Sequence, residues 1–273
     1  MTVRPAAVAG SWYPGSAEAL TAAVDRHLAA AAKGPTAPES LIALIAPHAG
    51  LMYSGPVAAY SYRCLPPTTD LVVLVGPSHF VGFEGVAAFR GEGFATPLGV
   101  AAIDRECTAA LLAASSIVHD DPAAHTREHS LEMQLPFIRR IVPDAKIVAL
   151  LVGWQTAAVA AALADTLARV LDGRRHVVLV ASTDLSHYQD AATAARLDSV
   201  VIERVAALDP DGLQLALDAR PEHACGGGPA VAVMRAARHL GADRAVVLKY
   251  ADSGDVSGDK SAVVGYLAAA IGA

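Results

Sequence analysis

Three apolar runs in this 273-residue chain each end in a polar turn that carries a histidine. LIALIA at 41–46 runs into Pro47-His48-Ala49-Gly50, LVVLV at 71–75 into Gly76-Pro77-Ser78-His79, and HVVLVAS into Thr183-Asp184-Leu185-Ser186-His187. The runs are rich in Val, Ile and Leu and lack polar alternation, the pattern of strands buried on both faces of a parallel sheet. Similar runs at 147–152, 245–249 and 262–267 join 177–182 and the other two to complete a strand set. In an open α/β sheet the carboxyl ends of parallel strands share one crevice, so side chains just past them converge although they are far apart in sequence. Histidines repeated in that position point to a metal.

Helical spacing separates the runs. The segment 17–32 is amphipathic and ends at the Gly34-Pro35 breaker, and further helices are predicted at 104–114, 129–141, 156–171, 191–207, 210–218 and 229–240. Alternation of this kind gives an α/β fold, with a central mostly parallel or mixed β-sheet flanked by helices on both faces. The stretch 81–103, with five glycines and a Thr96-Pro97-Leu98-Gly99 turn, reads as irregular or hairpin structure. No repeat or linker divides the chain, and 53% apolar content is ample for one domain over 1–273.

Composition narrows the function classes. A net charge of -6 with 18% charged residues leaves no basic stripe for nucleic acid or an anionic membrane face. No apolar run reaches membrane-spanning length, and MTVRPAAVAG lacks the charged start and apolar block of a signal peptide, so a cytoplasmic location is expected. Three cysteines, an odd count, argue against a disulfide framework and for a thiol with a ligand or nucleophile role. Neither G-x-x-x-x-G-K-[ST] nor a strand-following G-x-G-x-x-G occurs, so no nucleotide cofactor is expected.

His48 and His79 sit beside Gly50 and Gly76, where the backbone can turn tightly and leave an imidazole facing the crevice. Two surface loop histidines are the plainer alternative. Cys225 precedes Gly226-Gly227-Gly228-Pro229 and a helix-like segment, so its sulfur is expected near a helix N-terminus, where the dipole favours thiolate. A buried structural cysteine fits the same pattern. Two imidazoles and a thiolate suit iron(II), copper or zinc, and three protein ligands leave positions open for catalysis.

Asp184 and His187 are three residues apart, so His187 can serve as a general base with Asp184 fixing its tautomer; alternatively Asp184 caps a helix that carries His187 on its surface. A Cys225–His187–Asp184 hydrolase is a rival reading, which leaves His48 and His79 without a task. Glu128 to Pro136 reads as a helix start capped by Thr126, on which His129 and Glu132 share a face and line the pocket, or else serve in capping and salt bridging. Trp12 buries area in a short N-terminal turn, and Tyr53 either points its hydroxyl into the crevice or is simply buried.

The motifs R-x-A-x-A-G-x-W-Y-P at 4–14, A-P-H-A-G at 46–50, Y-S-G at 53–55, G-P-S-H at 76–79, E-H-S-x-E-x-x-L-P at 128–136, S-x-D-x-x-H at 182–187 and C-G-x-x-P at 225–229 span nearly the whole chain. In this set and order the sequence resembles the Memo-like proteins, whose bacterial and archaeal members are called AmmeMemoRadiSam system protein B. The resemblance implies a LigB-type fold related to class III extradiol dioxygenases, which hold non-haem iron(II) with two histidines and a glutamate. It assigns His48, His79 and Cys225 as ligands of iron or copper. His187 would be the acid–base histidine, with Asp184 beside it. It further implies AMMECR-type and radical SAM protein partners, and either oxygen or redox chemistry on a small aromatic substrate or a non-catalytic adapter that binds a peptide. Many members carry a second histidine where this chain has Phe80, and the thiolate in place of a carboxylate favours Cu(I) and shifts the metal's potential.

Overall fold

Twelve strands and ten α-helices follow one another through residues 2–273, the residues described by the computed structural model. The strands are β1 (Val3–Arg4), β2 (Leu41–Ala46), β3 (Leu71–Pro77), β4 (Val86–Ala88), β5 (Gly93–Thr96), β6 (Gly99–Ala102), β7 (Val118–Asp120), β8 (Lys146–Val152), β9 (Val177–Ser182), β10 (His187–Gln189), β11 (Arg244–Asp252) and β12 (Val263–Gly272). The helices are α1 (Ala17–Ala31), α2 (Leu51–Tyr62), α3 (Arg105–Ala114), α4 (Pro122–His125), α5 (Leu135–Ile141), α6 (Ala157–Leu171), α7 (Ala191–Ala206), α8 (Pro210–Ala219), α9 (Gly227–His239) and α10 (Gly254–Ser257).

The centre of the main sheet is a parallel block in the order β2-β9-β3-β8. Its flanks are antiparallel: β12 pairs with β2, β11 and β10 pair with β12, and β4 pairs with β8. The sheet is therefore mixed, with parallel pairing confined largely to the strands that carry the histidine turns. A small sheet of β1, β5 and β6 packs the glycine-rich stretch, whose β5–β6 hairpin turns at Thr96 to Gly99 as the sequence predicts.

Successive residues of the central strands enter two different cores. Ala43, Ile45, Val73 and Val75 face α3, α6, α8 and α9, whereas Leu44, Ala46, Val72 and Leu74 face α1, α2 and α5. All eight are fully buried, which is why polar alternation is missing. At roughly 1.5–3 kcal/mol for each fully buried large aliphatic side chain, this double-sided burial holds the strand ends in place.

Helix α2, where no helix is predicted from the sequence, carries Gly55 and Pro56 in its interior, and glycine is required at 55: a Cβ there would come within 2.9 Å of Leu51 and 3.0 Å of His27. Three local expectations are corrected. The helix predicted from 129 begins only with a 3-10 turn at Glu132–Gln134 and becomes α5 at Leu135. Thr126 does not cap it; Thr126 closes α4, with its hydroxyl donating to the Pro122 carbonyl at 3.3 Å. The last strand runs on to Gly272 because Ala268, Ala269 and Ala270 are buried between β2 and β11.

Candidate metal centre

β2, β9 and β3 are adjacent, so the turns after them open side by side. The first holds His48, the second Asp184 and the third His79. Cys225 arrives from the opposite side, just before α9, and its loop is stitched to the β9 turn: Cys225 N donates to the Asp184 carbonyl at 3.2 Å and Gly226 N to Thr183 Oγ1 at 2.9 Å. The approach needs glycine, since a Cβ on Gly226 would lie 2.4 Å from the Ser182 carbonyl oxygen. Gln155 locks the loop from behind, donating to the Cys225 carbonyl at 2.7 Å and accepting from Gly228 N at 2.8 Å.

One donor atom from each of His48, His79 and Cys225 lies within 4.8 Å of the other two. Cys225 Sγ is 3.3 Å from His48 Nε2, and the His48 and His79 rings are 5.2 Å apart. The outer nitrogens of both histidines are engaged. Ser182 Oγ donates to the Ser130 carbonyl at 2.6 Å, so it accepts from His48 Nδ1 at 2.9 Å and from Gln134 Nε2 at 2.7 Å. That fixes the proton of neutral His48 on Nδ1 and leaves Nε2 bare toward the sulfur. His79 Nδ1 is 2.9 Å from Glu128 Oε1, while its backbone N–H donates to Glu128 Oε2 at 2.6 Å.

Burial dominates the electrostatics. It drives the His48 pKa well below the ordinary value, helped by His79 and His129. Burial works to raise Glu128, but hydrogen bonds from His79 and Ser130 outweigh it and hold the carboxyl at about 2, so it is ionised. Burial lifts Asp184 to about 7 against the N–H groups of His48 and Ala49, of which His48 N is 2.7 Å from Oδ1. The thiolate expected at Cys225 is corrected. Burial, and after it the Asp184 charge, push its pKa above the ordinary thiol value despite the helix start, so without a cation the group is a thiol.

Asp184 turns toward the His48 backbone and does not orient His187. His187 lies on strand β10 rather than a helix, half-buried and paired with Val264. Burial lowers its pKa, while a ring hydrogen bond to the Leu185 carbonyl opposes the shift. His129 lines the site, stacked on His79 at 4.6 Å and 15° and flanked by Trp12 at 4.3 Å. Burial holds its pKa at about 4. Phe80 meets the His129 ring edge-on at 5.9 Å and carries the Arg127 guanidinium over its face at 4.9 Å. Tyr53 is half-buried on α2 and packs against the core on that face.

Glu132 is not a pocket residue. It is fully buried and gathers the N-terminal segment, accepting from Arg4 at 2.5 Å, Tyr13 Oη at 2.8 Å and the backbone N–H groups of Ala7 and Val8. Arg4 in turn donates to the carbonyls of His125 and Glu128, fastening residues 4–13 to the loop that bears Glu128 and His129. Sequence reasoning singled out neither Glu128 nor Ser182 as partners of the ligand histidines. The E-H pair at 128–129 was the only available signal for Glu128.

The donor set fits a borderline-to-soft ion: two anchored imidazoles and one sulfur on three separate loops. Among the described residues, no helix is long and apolar enough to cross a membrane.

A model of the Memo-like protein family matches residues 4–270. A MEMO1 family protein of Ignicoccus hospitalis is 39% identical over 280 residues, covering 98% of this chain and 98% of that protein. A MEMO1 family protein of Methanosarcina mazei is 40% identical over 271 residues, with the same 98% of each covered. The crystal structure of an uncharacterized protein from Escherichia coli K12 aligns at a TM-score of 0.55 and 18% identity, covering 83% of this chain and 99% of that one, a likeness of fold. By the family match and these full-length relatives, the chain belongs to the Memo-like protein family.

Proposed function

We propose that this Memo-family protein binds iron or copper through His48, His79 and Cys225 and carries out redox or oxygen-linked chemistry there, as its resemblance to class III extradiol dioxygenases implies. The observation that carries the reading is the convergence of the three donor atoms within 4.8 Å while Ser182 and Glu128 occupy the outer nitrogens of both histidines. Bound iron or copper supplies Lewis acidity and one-electron redox capacity.

The protein's own groups do the rest. His48 and His79 are held in place by Ser182 and Glu128. Cys225 would hold the cation as a thiolate, its proton released to solvent, since the positive charge offsets the cost of desolvating that thiolate. His187 keeps one ring nitrogen on the Leu185 carbonyl, and the other is available to take a proton from a substrate hydroxyl. His129, packed between His79 and Trp12, buttresses the ring of the ligand His79.

The hydrolase reading is disfavoured by geometry. The imidazole at Cys225 is His48, whose Nδ1 meets the Ser182 hydroxyl, and Asp184 bonds backbone rather than His187. The test is reconstitution without air of the wild-type protein and the His48→Ala/Cys225→Ala double variant with iron(II) or copper(I), followed by metal analysis. One metal per chain in the wild type and none in the variant is expected; no metal in the wild type overturns the reading. Oxygen uptake with a panel of catechols then tests the dioxygenase-like chemistry itself.

A further inference from the structure

Trp12 has two faces. One approaches His129 of the metal centre, and the residue also lines a separate groove of 470 Å³ between the N-terminal turn, α1 and the start of α2. Pro14, Leu51 and Met52 supply the apolar surface of this groove, and Arg26 and His27 of α1 supply its polar edge. Trp12 and Met52 are 38% and 61% exposed, so the apolar wall they form with Pro14 is open to a ligand from solvent.

Charge identifies the occupant. Arg26 is the only Asp, Glu, Lys or Arg among the lining residues. It takes part in none of the ion pairs among the described residues, whereas its neighbour Asp25 is bound to Arg140 at 2.7 Å. Burial, then the Arg26 charge, lower the His27 pKa, so His27 stays neutral and Arg26 is the sole fixed charge. The volume lies in the range of small-molecule sites, which combine apolar walls with few polar anchors. A guanidinium fork is suited to a planar or tetrahedral oxyanion.

We propose that this groove binds a small amphipathic monoanion, with its apolar body against Trp12, Leu51 and Met52 and its oxyanion on Arg26. The site is distinct from the His48, His79 and Cys225 centre and does not require a metal. Trp12 lines the groove and also contacts His129, so it is a residue common to both sites.

Trp12 is also the reporter. The chain has two tryptophans, and Trp154 is 64% exposed, so a Trp154→Phe background leaves Trp12 as the only tryptophan without disturbing a core. Metal-free protein in this background is titrated with 4-phenylbutyrate and, separately, with its neutral counterpart 4-phenylbutanol. A saturable change in Trp12 fluorescence with 4-phenylbutyrate is expected, weakened about tenfold or more by Arg26→Gln and equally weak for the alcohol. No saturable change, or equal affinity for the acid with and without Arg26, overturns the proposal. Repeating the titration in the His48→Ala/Cys225→Ala variant separates the two readings: binding there persists whether or not the wild type takes up metal.

Discussion

Cys225 Sγ lies 3.3 Å from His48 Nε2 across a sequence separation of 177 residues. Neither residue reaches the other through its own element. His48 is delivered by the end of β2, and Cys225 by a glycine-dependent loop tied to the adjacent β9 turn. The pair is therefore a product of strand order. A buried neutral imidazole facing a half-buried thiol is a poor nucleophilic dyad, because desolvation disfavours both the thiolate and the imidazolium that proton transfer would create. The same burial would suit a cation held by both donors, with the thiol proton released to solvent.

The partners behind the ligand histidines govern how tightly a metal is held. Ser182→Ala removes the acceptor for His48 Nδ1, and Glu128→Gln removes the carboxylate that holds His79 through two contacts. Each is expected to weaken metal affinity by about 10–100-fold while leaving all three ligands in place. Competition with a chelator of known affinity measures the change. Wild-type affinity in both variants would show that the outer hydrogen bonds do not tune the site.

Much of the site was legible because the histidines follow strands whose apolar runs betray burial on both faces; β2 was read to the residue at Leu41–Ala46. What escaped depended on contacts no local spacing encodes. Glu128 meets His79 from 49 residues away, and Arg4 meets Glu132 from 128. The three-residue spacing of Asp184 and His187 was misleading, because the chain leaves β9 in a turn and enters β10, sending the carboxylate to His48 instead. Helix α2 was hidden by Gly55-Pro56, a pair that local propensity reads as a break and that tertiary packing tolerates.

Acid should unfold the protein in two overlapping stages. His125 is buried, and burial lowers its pKa from 6.5 to about 4; its stabilising contribution is present above 6.5 and is lost as pH falls toward 4, because the unfolded chain takes up the proton first. Glu128 is held at about 2 against an ordinary 4.5, so its contribution is present above 4.5 and lost as pH falls toward 2. Each shift corresponds to about 3 kcal/mol. Urea unfolding at about pH 7, 5 and 3 measures both stages. His125→Gln is expected to reduce the upper stage, to which buried His48 and His129 also contribute, and Glu128→Gln to flatten the lower; curves parallel to the wild type would refute the assignment.

The N-terminal segment depends on one buried ion pair. Arg4 and Glu132 are 3% and 0% exposed, and the carboxylate also receives Tyr13 Oη and two backbone N–H groups. Arg4→Ala leaves that carboxylate buried without its cation and is expected to cost about 3–5 kcal/mol. Arg4→Ala/Glu132→Ala should cost less than the sum of the single changes, since each disables the same network. Chemical denaturation of the three variants gives the coupling, and strict additivity would mean that the pair does not act as a unit.

The reactivity of Cys225 separates a metal ligand from a catalytic nucleophile. Because burial and the Asp184 charge push its pKa above the ordinary thiol value, less than about 1% of the metal-free group is thiolate at neutral pH. Alkylation by iodoacetamide, followed at the Cys225 peptide by mass spectrometry, should therefore be slow near pH 7 and should still be accelerating above pH 9. Bound metal should suppress labelling across this range, because the sulfur lone pairs are then engaged. The Asp184→Asn variant removes the negative charge closest to the thiol, so its alkylation profile should shift toward lower pH. Rapid labelling of wild-type Cys225 at neutral pH, unchanged by metal, would instead identify an activated thiol and return weight to nucleophilic chemistry at this position.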